Sequence, residues 1–169
     1  NCYGEFTQKK EPTQCGADLM AGSLIKNPGG GIAPTGGYIA GRADLVEKCA
    51  HRLSAPGVGG EIGCTLNVLR ELYLGLYYAP GVVCEALKTS VYTSCLFELL
   101  GYEVMPRYTA PRNDIITSVN TGSPQGMVAL CGGVQAGSPE PYTVYVQGGL
   151  NFAAARAGVL LGAQRMLEL

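Results

Sequence analysis

Apolar positions along this chain alternate between two periods, and the switches mark its elements. Ala17–Leu24 reads as a strand, and Gly37-Tyr38-Ile39-Ala40-Gly41 as a second, short one bounded by glycines. From Arg42 to Leu53 the apolar residues Leu45, Val46, Cys49, Ala50 and Leu53 take helical spacing, and Pro56-Gly57 closes the run. A helix is expected from Thr65 to Tyr78, with Leu66, Leu69, Leu72, Tyr73 and Leu76 on one face. Pro80 suits the first turn of a separate, longer helix that runs to Leu100, with Gly101 as its stop. Tyr102–Pro106 and Asp114–Val119 read as strands. Ser123-Pro124 opens a helix to Ala136, with serine as N-cap and proline in the first turn. Tyr142–Val146 alternates as a strand, and Asn151–Leu169 reads as a closing helix. Residues 1–16 are polar and turn-rich, a strand end and loop. The order predicts an α/β or α+β layout with helices covering a small sheet, and a soft boundary at Ala79-Pro80-Gly81.

Composition narrows this picture. With 169 residues, 47% apolar and 15% charged, the chain has the make-up of a globular domain with a real core. Twelve basic and 13 acidic residues leave a formal charge of -1, which is no electrostatic footprint for nucleic acid or anionic lipid. No apolar run reaches the roughly 18 residues of a membrane-spanning helix. Seven cysteines, an odd number without a CxxC pair, read as reduced thiols. The expected setting is the cytoplasm, or an organelle matrix or stroma. A single histidine, His51, makes a zinc site or a Ser-His-Asp system improbable, and it reads as a packed or surface helix residue.

The unusual stretch is Ser23-Leu24-Ile25-Lys26-Asn27-Pro28-Gly29-Gly30-Gly31. Pro-Gly-Gly-Gly sustains neither an ordered helix nor a central strand, so Lys26 stands where a strand gives way to a loop. Functional groups concentrate at such places in α/β proteins. A phosphate-loop reading fails on order, because the glycines should precede the lysine and Ser/Thr should follow it. A lysine whose surroundings favour its neutral form is a nucleophile. Ser23, three residues earlier, and backbone N–H groups of the glycine turn offer donors to a phosphate. Together they suit a cofactor with an aldehyde and a phosphate, namely pyridoxal 5'-phosphate. A solvated lysine is the other reading of the same residues.

Several stretches carry a resemblance. They are Asn1-Cys2-Tyr3-Gly4-Glu5-Phe6, Gly16 through Gly30, Pro34 through Gly41, Arg52-Leu53-Ser54-Ala55-Pro56-Gly57 and Tyr145-Val146-Gln147-Gly148-Gly149-Leu150. In these the chain resembles the C-terminal part of the methionine gamma-lyase-related, or aluminium resistance, proteins, which are fold-type-I pyridoxal-phosphate enzymes. The resemblance implies residues 1–79 as the end of the cofactor-binding large domain and 80–169 as a small α/β C-terminal domain. It implies Lys26 as the lysine that holds the cofactor covalently and Ser23 as a contact to its phosphate. It further implies a carbon–sulfur lyase acting on a sulfur-containing amino acid, and a homo-oligomer.

The chain departs from that pattern in two places. The family's aspartate on the pyridine nitrogen stands directly before the Asn-Cys-Tyr-Gly run, and this chain opens at that Asn, without an initiator methionine. The family's phosphate cup and ring-stacking aromatic also lie upstream, so residues missing before Asn1 are expected. Near the other end, the family carries a longer segment with an arginine before Glu-Pro-Tyr. Here Gly137-Ser138-Pro139 runs straight into Glu140-Pro141-Tyr142. The resulting expectation is a lysine-bearing part of a lyase with little or no activity as an isolated chain. The alternatives are a non-catalytic remnant serving as a structural or partner-binding protein, and a module that binds a phosphate ligand without covalent chemistry.

Overall fold

The computed structural model describes residues 1–63 and 66–137. They form an α/β arrangement of short sheets and few helices in two compact units, Asn1–Cys84 and Glu85 onward. The expected strand at Tyr142–Val146 and helix at Asn151–Leu169 lie outside the described residues, as do Cys64 and Thr65. Among the described residues no helix is long and apolar enough to cross a membrane.

In the first unit β1 (Leu19–Ser23) pairs antiparallel with β2 (Gly37–Gly41), in a register that sets Ser23 opposite Gly37 and Gly22 opposite Tyr38. Arg42 then donates its backbone N–H to Asp18 and leads into α1 (Ala43–Leu53). The apolar face read from the sequence is half-buried at Leu45, Val46, Cys49 and Ala50, while Leu53 projects outward. His51 packs its ring against Gly59, which takes a left-handed φ of 59°. Residues 1–18 hold no strand; they form turns and a short 3-10 helix at Pro12–Cys15.

The long helix corrects two expectations. It is continuous, α2 (Leu69–Leu99), with Pro80 inside it rather than at the start of a new helix. Proline there removes the donor for the carbonyl of Leu76, four residues back, and crowds that carbonyl with its ring. Both residues are exposed, so water can take up that carbonyl. Ala79 and Val83, almost wholly buried, hold the helix on either side of the proline. The helix also starts later than the pattern suggests, because Leu66 and Asn67 take left-handed φ of 52° and 61°.

The second unit is built around a buried arginine. Arg112 donates to the Ser90 hydroxyl at 2.7 Å, the Ile116 carbonyl at 3.2 Å and the Thr117 hydroxyl at 3.2 Å, and also to Ser94. Burial pushes its pKa below the ordinary arginine value, with nearby Asp114 opposing. These bonds explain why the strand expected over Asp114–Val119 shrinks to β4 (Ser118–Asn120), paired antiparallel with β3 (Glu103–Met105). Asp114 Oδ1 accepts the Ile116 N–H at 2.8 Å, and the Ile116 carbonyl goes to Arg112. Side chains therefore take up backbone groups that a sheet ladder would have used. Instead of one covered sheet, the described residues hold two separate two-stranded ladders.

Helix α3 (Pro124–Gly137) begins as its sequence indicates: Ser123 Oγ accepts the Gly126 N–H at 3.0 Å. Ser123→Ala is expected to cost about 1 kcal/mol. Urea unfolding would show it as a lower midpoint at unchanged slope. Gly101, at φ 86°, stops α2 as expected, with Tyr102 N–H reaching back to the Phe97 carbonyl at 2.9 Å.

Candidate functional site

The site forms where β1 ends. Leu24 N–H donates to the Gly36 carbonyl at 3.0 Å, which extends the ladder one residue past Ser23. Lys26 is then the N-cap of a single 3-10 turn, Asn27–Gly29, with Pro28 in its first positions. The glycine segment is thus more ordered than its composition suggests. Asn27, Pro28, Gly29 and Gly30 are all buried. Gly30 closes the turn with a left-handed φ of 54°, and its Cα faces the Gly75 carbonyl of α2 so closely that no Cβ fits.

Hydrogen bonds within the turn change one expectation. Gly29 N–H donates to the Lys26 carbonyl at 2.9 Å and Gly30 N–H to the Asn27 carbonyl at 3.2 Å. Ile32 and Ala33 donate to the Gly29 carbonyl at 2.9 and 3.1 Å. Those N–H groups are committed, so they do not form the phosphate cradle suggested by the glycines. What the glycines provide is close packing beneath the lysine.

The first six residues lie beside this turn. The backbone nitrogen of Asn1 donates to the Ala21 carbonyl at 2.6 Å. Asn1 Nδ2 and the Phe6 N–H both reach Glu11, each at 3.0 Å. Tyr3 and Phe6 take left-handed φ of 67° and 64°, which folds the strap back on itself. Asn27 Nδ2 donates to the Glu5 carbonyl at 3.0 Å, and Tyr38 donates its hydroxyl to Glu5 Oε1 at 2.8 Å. This clamp places Cys2 Sγ 3.9 Å from Lys26 Nζ and the Tyr3 ring centroid 5.2 Å from it. A cation over an aromatic face is attracted by the ring quadrupole.

Both residues expected to act, Ser23 and Lys26, sit at this strand end. Lys26 is half-buried, and among the described residues no carboxylate lies within ion-pair distance of it. Ser23 Oγ accepts the Ile25 N–H at 3.4 Å, and among the described residues its own proton has no acceptor. An amine unencumbered by a carboxylate and a hydroxyl with a proton to give fit the aldehyde and the phosphate of pyridoxal phosphate. Cys2, Tyr3, Glu5 and Asn27 were not singled out as site residues by sequence reasoning. The signal available was that Asn1–Phe6 and the lysine stretch both belong to the resembling segments.

Glu5 is buried, and among the described residues its Oε2 has no hydrogen-bond partner. Burial, the hydrogen bond to Glu5 and its charge together push the Tyr38 hydroxyl well above the ordinary tyrosine value of 10.0. A folded-state value raised in this way contributes stability below the unfolded value, and that contribution is lost as pH rises. Stability is therefore expected to fall on going above about pH 10. Tyr38→Phe removes the donor from Glu5 and is expected to cost about 1–3 kcal/mol. It should also flatten the alkaline loss in a pH series of thermal melts.

Residues 1–140 match the family described as Methionine gamma-lyase. This chain belongs to the methionine gamma-lyase family. The match contains every residue of the site just described. The chain is 47% identical over 153 residues to the uncharacterized Bacillus subtilis protein YnbB, covering 88% of this chain and 36% of that protein. It is 49% identical over 139 residues to an uncharacterized 33.9 kDa protein from Lactobacillus delbrueckii, covering 82% and 45%. Among solved structures it is similar to a carbon–sulfur lyase involved in aluminium resistance from Clostridium novyi. That match has 44% identity and a TM-score of 0.78, and covers 98% of this chain and 48% of the other. The chain thus spans less than half the length of these methionine gamma-lyase family relatives.

Proposed function

We propose that this chain is the lysine-bearing part of a fold-type-I, pyridoxal-phosphate-dependent carbon–sulfur lyase acting on a sulfur-containing amino acid. The observation that carries the reading is the Lys26 amine: half-buried, unpaired with any described carboxylate, and flanked by Cys2 and Tyr3 at a clamped strand end. Family membership and the likeness to a carbon–sulfur lyase from Clostridium novyi support it. Residues 1–79 are read as the end of the cofactor-binding domain and 80–169 as the small domain. A homo-oligomer belongs to the same reading. The six described cysteines, all unpaired, suit a reducing setting such as the cytoplasm.

Bound pyridoxal phosphate supplies an electron sink for negative charge on the substrate's α carbon. The chain's own residues do the rest. Lys26 Nζ holds the cofactor and carries protons to and from the α and β carbons. Ser23 Oγ would donate a hydrogen bond to a phosphate oxygen. The Tyr3 ring, 5.2 Å from Nζ at its centroid, helps to keep the amine in place. The Asn27–Glu5–Tyr38 bonds fix the backbone from which Lys26 extends, so the amine is presented at low entropic cost.

Incubation with pyridoxal phosphate followed by borohydride reduction tests the assignment. The label is expected on the peptide containing Lys26 and absent from Lys26→Ala. A label on other lysines only would overturn it. Residues 1–169 made as an isolated polypeptide are expected to show little or no elimination, because relatives of known length carry about twice as much chain around the same motif. A full lyase rate from that polypeptide would refute this expectation.

A further inference from the structure

The pairing of Cys2 with Lys26 allows chemistry that a lyase mechanism does not use. The two side chains come from segments 24 residues apart, yet Sγ and Nζ stand 3.9 Å from each other. Among the described residues Cys2 is exposed and forms no disulfide. The Asn1–Ala21 and Asn27–Glu5 bonds hold the two backbones together. The Tyr3 ring on the amine limits how far Nζ swings away. A cysteine sulfenic acid is an electrophile that condenses with a nearby nitrogen or thiol. Here the neighbouring nucleophile is an amine.

We propose that Cys2 and Lys26 form an oxidant-responsive modification site, closed by hydrogen peroxide as a sulfur–nitrogen bond. Peroxide oxidises the Cys2 thiol by two electrons to the sulfenic acid and is itself reduced to one water. The lone pair of neutral Lys26 Nζ then attacks Sγ, the S–O bond breaks, and the departing oxygen leaves with a proton from nitrogen as a second water. Two equivalents of a thiol reductant reverse the step, returning the Cys2 thiol and the Lys26 amine and becoming a disulfide. The consequence for cofactor rests on the reading of Lys26 given above: a nitrogen bound to sulfur cannot hold pyridoxal phosphate. Peroxide therefore blocks cofactor loading, and reductant restores it.

Cofactor-free protein treated with hydrogen peroxide and digested without reductant tests the bond directly. Mass mapping is expected to find the Cys2 and Lys26 peptides joined, lighter than their sum by about two hydrogens, and separated again by dithiothreitol. Cys2→Ser should show no such species. Lys26→Arg should instead accumulate Cys2 sulfenic acid that dimedone traps. The proposal is overturned if wild-type Cys2 stays a thiol, stops at sulfenic or sulfinic acid, or joins another cysteine. Borohydride labelling of Lys26 by pyridoxal phosphate, run before and after peroxide, reads the consequence separately. A cross-link in a protein whose untreated Lys26 takes no label would uphold the modification site and remove the cofactor reading alone.

Discussion

Replacing Lys26 by arginine is expected to lower carbon–sulfur elimination by about 10³-fold or more in any preparation that turns over. Arginine keeps the positive charge and the length, so the cation over Tyr3 survives. What it lacks is a neutral form, because a guanidinium stays protonated in proteins and can neither condense with an aldehyde nor shuttle a proton. The substitution thus separates charge from nucleophilicity. Stability should change by less than about 0.5 kcal/mol, since among the described residues the Lys26 amine meets Cys2 and Tyr3 and makes no ion pair. The decisive result is a normal thermal melt together with lost turnover and lost cofactor labelling. Turnover within about tenfold of wild type would show that Lys26 does not move the proton. Lys26→Ala should also recover part of its rate with added small primary amines, which an arginine side chain would obstruct.

Local rules were readable where a short segment decides its own structure. Ser123 and Gly101 cap their helices through bonds made within a few residues, so their types reveal their roles. Pro80 misled because the cost of proline inside a helix depends on whether the freed carbonyl meets water, and exposure is a tertiary property. Asp114–Thr117 misled for a related reason. Its β-branched residues suit a strand, but Arg112 and Asp114 claim the backbone groups that a ladder needs. At the candidate site, Lys26 and Ser23 stood out because a lysine before Pro-Gly-Gly-Gly is odd in itself. Cys2, Tyr3 and Glu5 did not, because nothing local says that residues 1–6 will lie beside the end of β1. That contact depends on left-handed turns at Tyr3 and Phe6, residue types that rarely take them.

The glycines of α2 provide the sharpest separation between local propensity and packing. Propensity alone predicts that alanine at either Gly75 or Gly81 would stabilise the helix by up to about 1 kcal/mol. Around Gly81 there is open space, and Gly81→Ala is expected to deliver that gain. Gly75 is buried against the carbonyl of Gly29, well inside the reach of a new Cβ. That carbonyl cannot easily retreat, because it accepts Ile32 and Ala33 while the Gly29 N–H is held by Lys26 at 2.9 Å. Gly75→Ala is therefore expected to destabilise by about 2–4 kcal/mol, the overpacking cost outweighing the helix gain. Chemical unfolding of the two variants side by side checks the sign of each. The displaced backbone is the turn that Lys26 caps, so Gly75→Ala should also weaken borohydride labelling of Lys26 while Gly81→Ala leaves it intact. Equal stabilisation by both alanines would mean that the turn is not seated on the helix, and the lysine would lose the rigid support on which its chemistry depends.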